Sequence, residues 1–147
     1  TFSSAGSYSV KLTVIDNMGA TGSITKTITV TSGSEADFVV CENLLRGMYA
    51  ALSNQNFTQA LSYCKPGGIT YDYIYELWSL ALEYPLFYIT YQVHSAYNFS
   101  HIGQLVVSFN YDLSSTVHSI YGETYDTNYS YGLLAGFEKV NGEWKMP

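Results

Sequence analysis

Charge is what this chain has least of. Only 12% of its 147 residues are Asp, Glu, Lys or Arg, about half the ~25% usual in globular proteins. Twelve acidic residues against six basic ones leave a formal net charge of −6. The six bases, Lys11, Lys26, Arg46, Lys65, Lys139 and Lys145, are scattered. Nucleic acid is therefore excluded as a partner, because phosphate recognition needs clustered cations. Long apolar runs are missing too: no segment nears the ~20 residues that a membrane-crossing helix requires. Cysteine is scarce, and Cys41 and Cys64 with no paired histidine complete no zinc site. The three histidines, His94, His101 and His118, lie 7 and 17 residues apart and match no compact ligand motif. With His101 in an expected loop at 98–102, they read as surface or hydrogen-bonded imidazoles, and no metal is expected. Gly67-Gly68 lacks the Lys-Ser/Thr that follows the glycines of a phosphate loop, so no cofactor is expected. A start methionine and a signal peptide are also missing. The chain opens mid-pattern at Thr1 and reads as a piece of a longer protein.

Aromatics are abundant. They make up 16% of the residues, with 15 Tyr, which excludes disorder as the main state. Three N-x-Ser/Thr sequons, at Asn56, Asn98 and Asn128, would accept glycans in an exported protein, although a chain rich in Asn, Ser and Thr also produces them by chance. Low Lys content together with much Tyr, Ser, Thr and Gly suits secreted β-rich proteins. An extracellular or cell-surface location is the expectation. Cys41 and Cys64 flank an expected helical hairpin that turns near Ser53-Asn54-Gln55. They are either a disulfide, which would contribute about 3 kcal/mol by closing that loop, or two buried free thiols packing as small hydrophobes.

Period-2 patterning opens the chain. Tyr8, Val10, Leu12 and Val14 share one face of a strand; Asp16-Asn17-Met18-Gly19 is turn chemistry; Ile24, Ile28 and Val30 face inward from a second strand. Residues 32–35 read as a linker. Helical spacing follows over 36–52, with Phe38, Cys41, Leu45, Met48 and Leu52 on one stripe and Ser34 with Asp37 as a capping box. A short helix is expected over 57–63, capped by Asn56 or Thr58, and a third over 71–82 with Tyr75, Trp78 and Leu82 along one side, stopped by Pro85. The period then returns to two, giving strands at 86–98, 103–113, 116–124 and 130–140 and a last piece at 143–147. Asn141-Gly142 makes the final tight turn. Helices followed by strands argue an α+β class.

Two resemblances sit on these residues. The run from Gly6 to Ala20, GSYSVKLTVIDNMGA, resembles the closing part of a polycystic-kidney-disease (PKD) domain, whose pattern is G-x-Y-x-V-x-L-x-V-x-D-x-x-G. It covers residues 1–31; the family's opening strands and Trp-centred core motif are absent, so the hairpin must dock or pair elsewhere. Residues 36–147 resemble the nuclear-transport-factor-2-like, or cystatin-like, superfamily through Met48–Leu61 (MYAALSNQNFTQAL) and Phe137–Met146 (FEKVNGEWKM). That resemblance implies three helices wrapped by a curved antiparallel sheet, with a pocket between them, and a homodimer through the outer sheet face or the hairpin.

Parity decides which side chains reach such a pocket. The apolar sets are Phe87, Ile89, Tyr91 and Val93; Leu105, Val107, Phe109 and Tyr111; Tyr131, Leu133, Ala135 and Phe137. The candidate ligand-binding residues are Trp78, Tyr91, Val93, Phe109, Tyr111 and Tyr131. Asp112, His94 and Glu138 fall on the outer parity. Enzymes of the superfamily that isomerise steroids or dehydrate polyketides place an Asp or His inside the cone, so no catalytic residue is assigned. The expected function is a non-catalytic, extracellular binding, spacer or adhesion module for a small apolar or sugar-like ligand or a partner protein. The alternative is an isomerase or dehydratase on the same scaffold.

Overall fold

The computed structural model describes residues 6–30, 35–103 and 105–147. The chain forms two compact units, Thr1–Gly33 and Ser34–Pro147. Most of the expected linker at 32–35, the Ser34 cap and the Val30 side chain lie outside the described residues.

The first unit is an antiparallel pair, β1 (Gly6–Ile15) and β2 (Thr21–Val30), in the register Tyr8↔Ile28, Val10↔Lys26 and Leu12↔Ile24. Opposed residues project to the same side. One face is therefore mainly apolar and the other carries Ser7, Thr29, Ser9 and Thr27. The turn closes as its residues dictate. The Asp16 carboxylate accepts from the backbone N–H of Met18 (2.9 Å) and of Ala20 (2.8 Å), and Gly19 takes φ +85°, a conformation open to glycine at little cost.

The second unit runs α1 (Glu35–Ser53), α2 (Phe57–Ser62), α3 (Ile69–Glu83), then β3 (Phe87–Ile102), β4 (Val106–Ser119), β5 (Thr124–Val140) and β6 (Glu143–Lys145), a four-stranded antiparallel sheet in sequential order. The α+β class and the three helices on a curved sheet are as the sequence implies. The buried stripe of α1 is Cys41, Leu45, Met48, Ala51 and Leu52. Asn56 caps α2 by accepting from the Gln59 N–H at 3.1 Å. Asn141 (φ +52°) and Gly142 (φ +88°) form the β5–β6 turn.

Three expectations are corrected. First, the expected strands 103–113 and 116–124 belong to one strand. Ser114, Ser115 and Thr116 pair with β3 on one side and β5 on the other, which a turn cannot do. The chain reverses later, where Gly122 has φ +88° and the Ser119 hydroxyl accepts from the N–H of Tyr121 and Glu123. Secondly, the stripe of α3 that meets the core is Ile74, fully buried, with Tyr71 and Leu77 partly covered; Tyr75 and Leu82 are exposed, Leu82 at 73%. Thirdly, alternation is broken. Register shifts fall between Val93 and Ala96 and between Tyr97 and Ser100 in β3, and in β5 opposite Asp112. Each extra residue moves the following side chains to the other face. The helix-facing set on β3 is thus Ile89, Tyr91 and Val93, then Ala96 and Phe99. His101 lies in β3 and not in a loop; its ring is 4.4 Å from that of Phe38 and 6.5 Å from Trp144.

Candidate functional site

The helices do not fill all the space over the sheet. Where α1 ends, a cavity of about 250 Å³ remains. Leu52 and Gln55 close it from the end of α1, Phe57 from α2, and Leu77, Leu80, Ala81 and Tyr84 from α3. Phe87, Tyr88, Ile89 and Tyr91 of β3 and Val117 of β4 form the sheet wall. Polar bonds seam α1 to the edge strand beside it. The Ser53 hydroxyl accepts from the Tyr91 N–H (2.8 Å) and donates to the Tyr49 carbonyl (2.8 Å), and the Arg46 guanidinium donates to the Val93 carbonyl (2.6 Å) while pairing with Glu42. Pro85 ends α3, and the Phe87 N–H returns to the Tyr84 carbonyl, which turns the chain into the sheet wall.

Among the described residues no charged side chain lines this cavity. Its polar groups are tyrosine hydroxyls and the Gln55 amide. Off the cavity wall, Tyr49 and Tyr111 bond hydroxyl to hydroxyl at 2.8 Å, and the Tyr91 ring lies 5.3 Å from that of Tyr49. Burial raises the pKa of all three phenols, that of Tyr91 to about 12, so each is neutral at physiological pH.

The candidate residues divide. Tyr91 lines the cavity. Trp78 backs it, stacked on Phe57 with ring centroids 6.0 Å apart and planes 2° from parallel. Val93, Phe109 and Tyr111 belong to the buried core and not to the cavity wall. Tyr131 is corrected: it is 75% exposed, because the bulge at Gly132 (φ +66°) turns it to the outer face. Among the cavity residues not foreseen are Leu77, Leu80 and Ala81 of α3 and Tyr84 at its end, which repeat at steps of 3 and 4, a helical stripe visible in the sequence beside the one chosen.

Asp112 explains the broken alternation. One carboxylate oxygen accepts from the Tyr97 hydroxyl (3.0 Å) and the Gly132 N–H (2.9 Å), and the other from the Ser95 hydroxyl (2.7 Å). It thereby pins a bulge on each neighbouring strand. His94 hydrogen-bonds Ser114 (2.9 Å) on the same outer face, Glu138 pairs with Lys65 (2.8 Å), and His118 bonds Thr90 (2.8 Å). The donors to Asp112, led by Ser95, hold its pKa below the ordinary carboxylate value. A depressed folded pKa stabilises above the unfolded value of about 3.9 and loses its effect as pH falls through the folded one. Asp112→Asn should therefore lower the urea midpoint at pH 6, with the gap from the parent closing as pH drops below about 3.9.

The thiols are free and buried, which corrects the disulfide reading. Cys41 is twelve residues from the end of α1, about 18 Å of helix, whereas α2 has six residues, about 9 Å. Cys64 lies past its end, bridged to Met146. Burial pushes Cys41 up to about 12 and Cys64 to about 11. Both should resist alkylation at pH 8 until the protein is denatured, then take two labels without reductant, as read by mass spectrometry. Asn56, Asn98 and Asn128 are exposed. Among the described residues no helix is long and apolar enough to cross a membrane.

No family model matches the chain, so the PKD resemblance of residues 1–31 rests on its motif. No curated protein matches in sequence. Solved structures match in shape. A protein of unknown function with a cystatin-like fold from Nostoc punctiforme superposes with a TM-score of 0.58 at 11% identity, over 79% of this chain and 90% of its own. The second unit has the cystatin-like fold. Aln2 from a Streptomyces species gives 0.57 at 12% identity, over 77% and 87%. A Catenulispora acidiphila protein in complex with S-DNPA gives 0.56 at 10% identity, over 77% and 90%.

Proposed function

We propose that the second unit is a non-catalytic binding module that holds one small, neutral, largely apolar ligand in the cavity between α3 and the sheet. The observation that carries this is the cavity wall, which is aromatic and aliphatic and carries no ionised side chain. A charged ligand would lose its hydration there with no partner in return, whereas apolar surface gains roughly 25 cal/mol per Å² on leaving water. At about 250 Å³ the cavity lies just below the ~300–1,000 Å³ of drug-sized ligand pockets, which favours a compact ligand, and a structure of the same fold was solved with a small molecule bound. The isomerase or dehydratase reading needs a carboxylate or imidazole within reach of a substrate proton. Asp112 and His94 stand on the opposite face of the sheet, engaged with Ser95, Tyr97, Gly132 and Ser114. Titration with the neutral fluorophore N-phenyl-1-naphthylamine tests the binding reading: emission should rise and saturate at one site per chain, and an unsaturable or absent response overturns it.

The remaining readings extend this one. The first unit is proposed as the closing hairpin of a PKD-like sandwich, supported by its uncovered face of Val10, Leu12, Val14 and Ile24. An extracellular spacer or adhesion setting is supported by the three exposed sequons. The exposed Tyr129, Tyr131 and Leu134 favour a second copy on the outer sheet face, which sedimentation at rising concentration would reveal.

A further inference from the structure

Hydroxyl bookkeeping around the cavity singles out one donor. Tyr49 and Tyr111 are spent on each other. Tyr91 shares their aromatic cluster through Tyr49 and lines the cavity, yet among the described residues its hydroxyl has no hydrogen-bond partner. The phenol is half-buried and stays protonated at physiological pH because burial disfavours its anion. It is held from both ends of its residue: the backbone N–H is fixed by Ser53, and the ring packs on Tyr49. A fixed, protonated, unpartnered donor in an apolar wall favours a ligand that brings an acceptor over one that does not.

Resting on the cavity reading above, we infer that the bound ligand is a neutral apolar compound with one carbonyl-type oxygen, and that Tyr91 receives that oxygen by donating its hydroxyl hydrogen. Tyr91 is then the residue that sets specificity within a wall that otherwise recognises only shape. The other polar groups of the wall, on Tyr84, Tyr88 and Gln55, do not substitute for it: Tyr84 is 57% exposed, the Tyr88 ring is stacked on His118, and Gln55 is an exposed residue in the left-handed conformation (φ +55°).

Displacement of N-phenyl-1-naphthylamine by two matched probes, 2-acetylnaphthalene and 2-ethylnaphthalene, separates the claims. The acetyl compound should bind about five- to tenfold tighter to the parent protein, the value of one net hydrogen bond. Tyr91→Phe, which removes only the hydroxyl, should erase that preference and leave the ethyl compound's affinity within about twofold. Thermal unfolding of the variant confirms that it is folded. Equal affinities for the two probes in the parent, or a preference that survives Tyr91→Phe, overturns the inference and leaves the cavity reading intact. Failure of the fluorophore to bind overturns both.

Discussion

Phe109→Ala should destabilise the second unit by about 3–5 kcal/mol, the largest stability loss expected of any single truncation here. Phe109 is fully buried in the middle of β4. Its ring is 4.8 Å from that of Phe99 and 5.7 Å from that of Phe137, with which it lies within 14° of parallel. It therefore joins all three long strands on the helix-facing side. Truncation removes the transfer free energy of the ring and also leaves a void, because the neighbours are held by paired backbones and cannot collapse inward. With a total stability of about 5–15 kcal/mol for a domain of this kind, the variant should unfold at a much lower urea concentration with an unchanged denaturant slope. Phe109→Leu should lose less, since most of the volume is kept. A loss below about 1 kcal/mol for Phe109→Ala would mean that this core is not where the packing places it.

Much of the architecture is legible in the residues because it is written locally. Alternation in the hairpin, the Asn56 cap, the α1 stripe and the Asn141-Gly142 turn each depend on neighbours within a few positions. What eludes such reading is set by contacts far apart in the chain. The bulges of β3 and β5 are held by Asp112 from 15 to 20 residues away, and only the glycine at 132 marks one of them. Ser114-Ser115-Thr116 looks like a turn by composition, yet it continues a strand because both flanking strands satisfy its backbone. On α3 the difficulty is different. Ile74, Tyr75, Leu77, Trp78, Leu80, Ala81 and Leu82 are apolar nearly all round the helix, so periodicity offers two stripes and cannot choose. The cavity inherits that ambiguity, being defined by where side chains fail to meet and not by any motif. Reading parity without the bulges therefore places Tyr131 inside, and choosing the Trp78 stripe leaves out Leu77, Leu80 and Ala81.

Ala81→Trp should abolish binding of the neutral fluorophore, with at least a 100-fold loss of affinity, about 2.7 kcal/mol or more. Ala81 is the smallest side chain on the cavity wall and sits on α3 between Leu77 and Tyr84, where a helical side chain leans back toward the preceding turn. An indole at that position enters the 250 Å³ space and takes the volume the ligand needs. Because the cavity offers room for the new ring, it meets little of the overpacking penalty of a filled core, and burial of the indole offsets what strain remains. Stability should therefore hold or rise while affinity collapses, a pairing that general misfolding does not produce. Leu134→Trp, on the exposed outer face of β5, serves as the control and should leave affinity unchanged. Retained binding in Ala81→Trp, with the fold intact, would place the fluorophore elsewhere and remove the cavity from the protein's function.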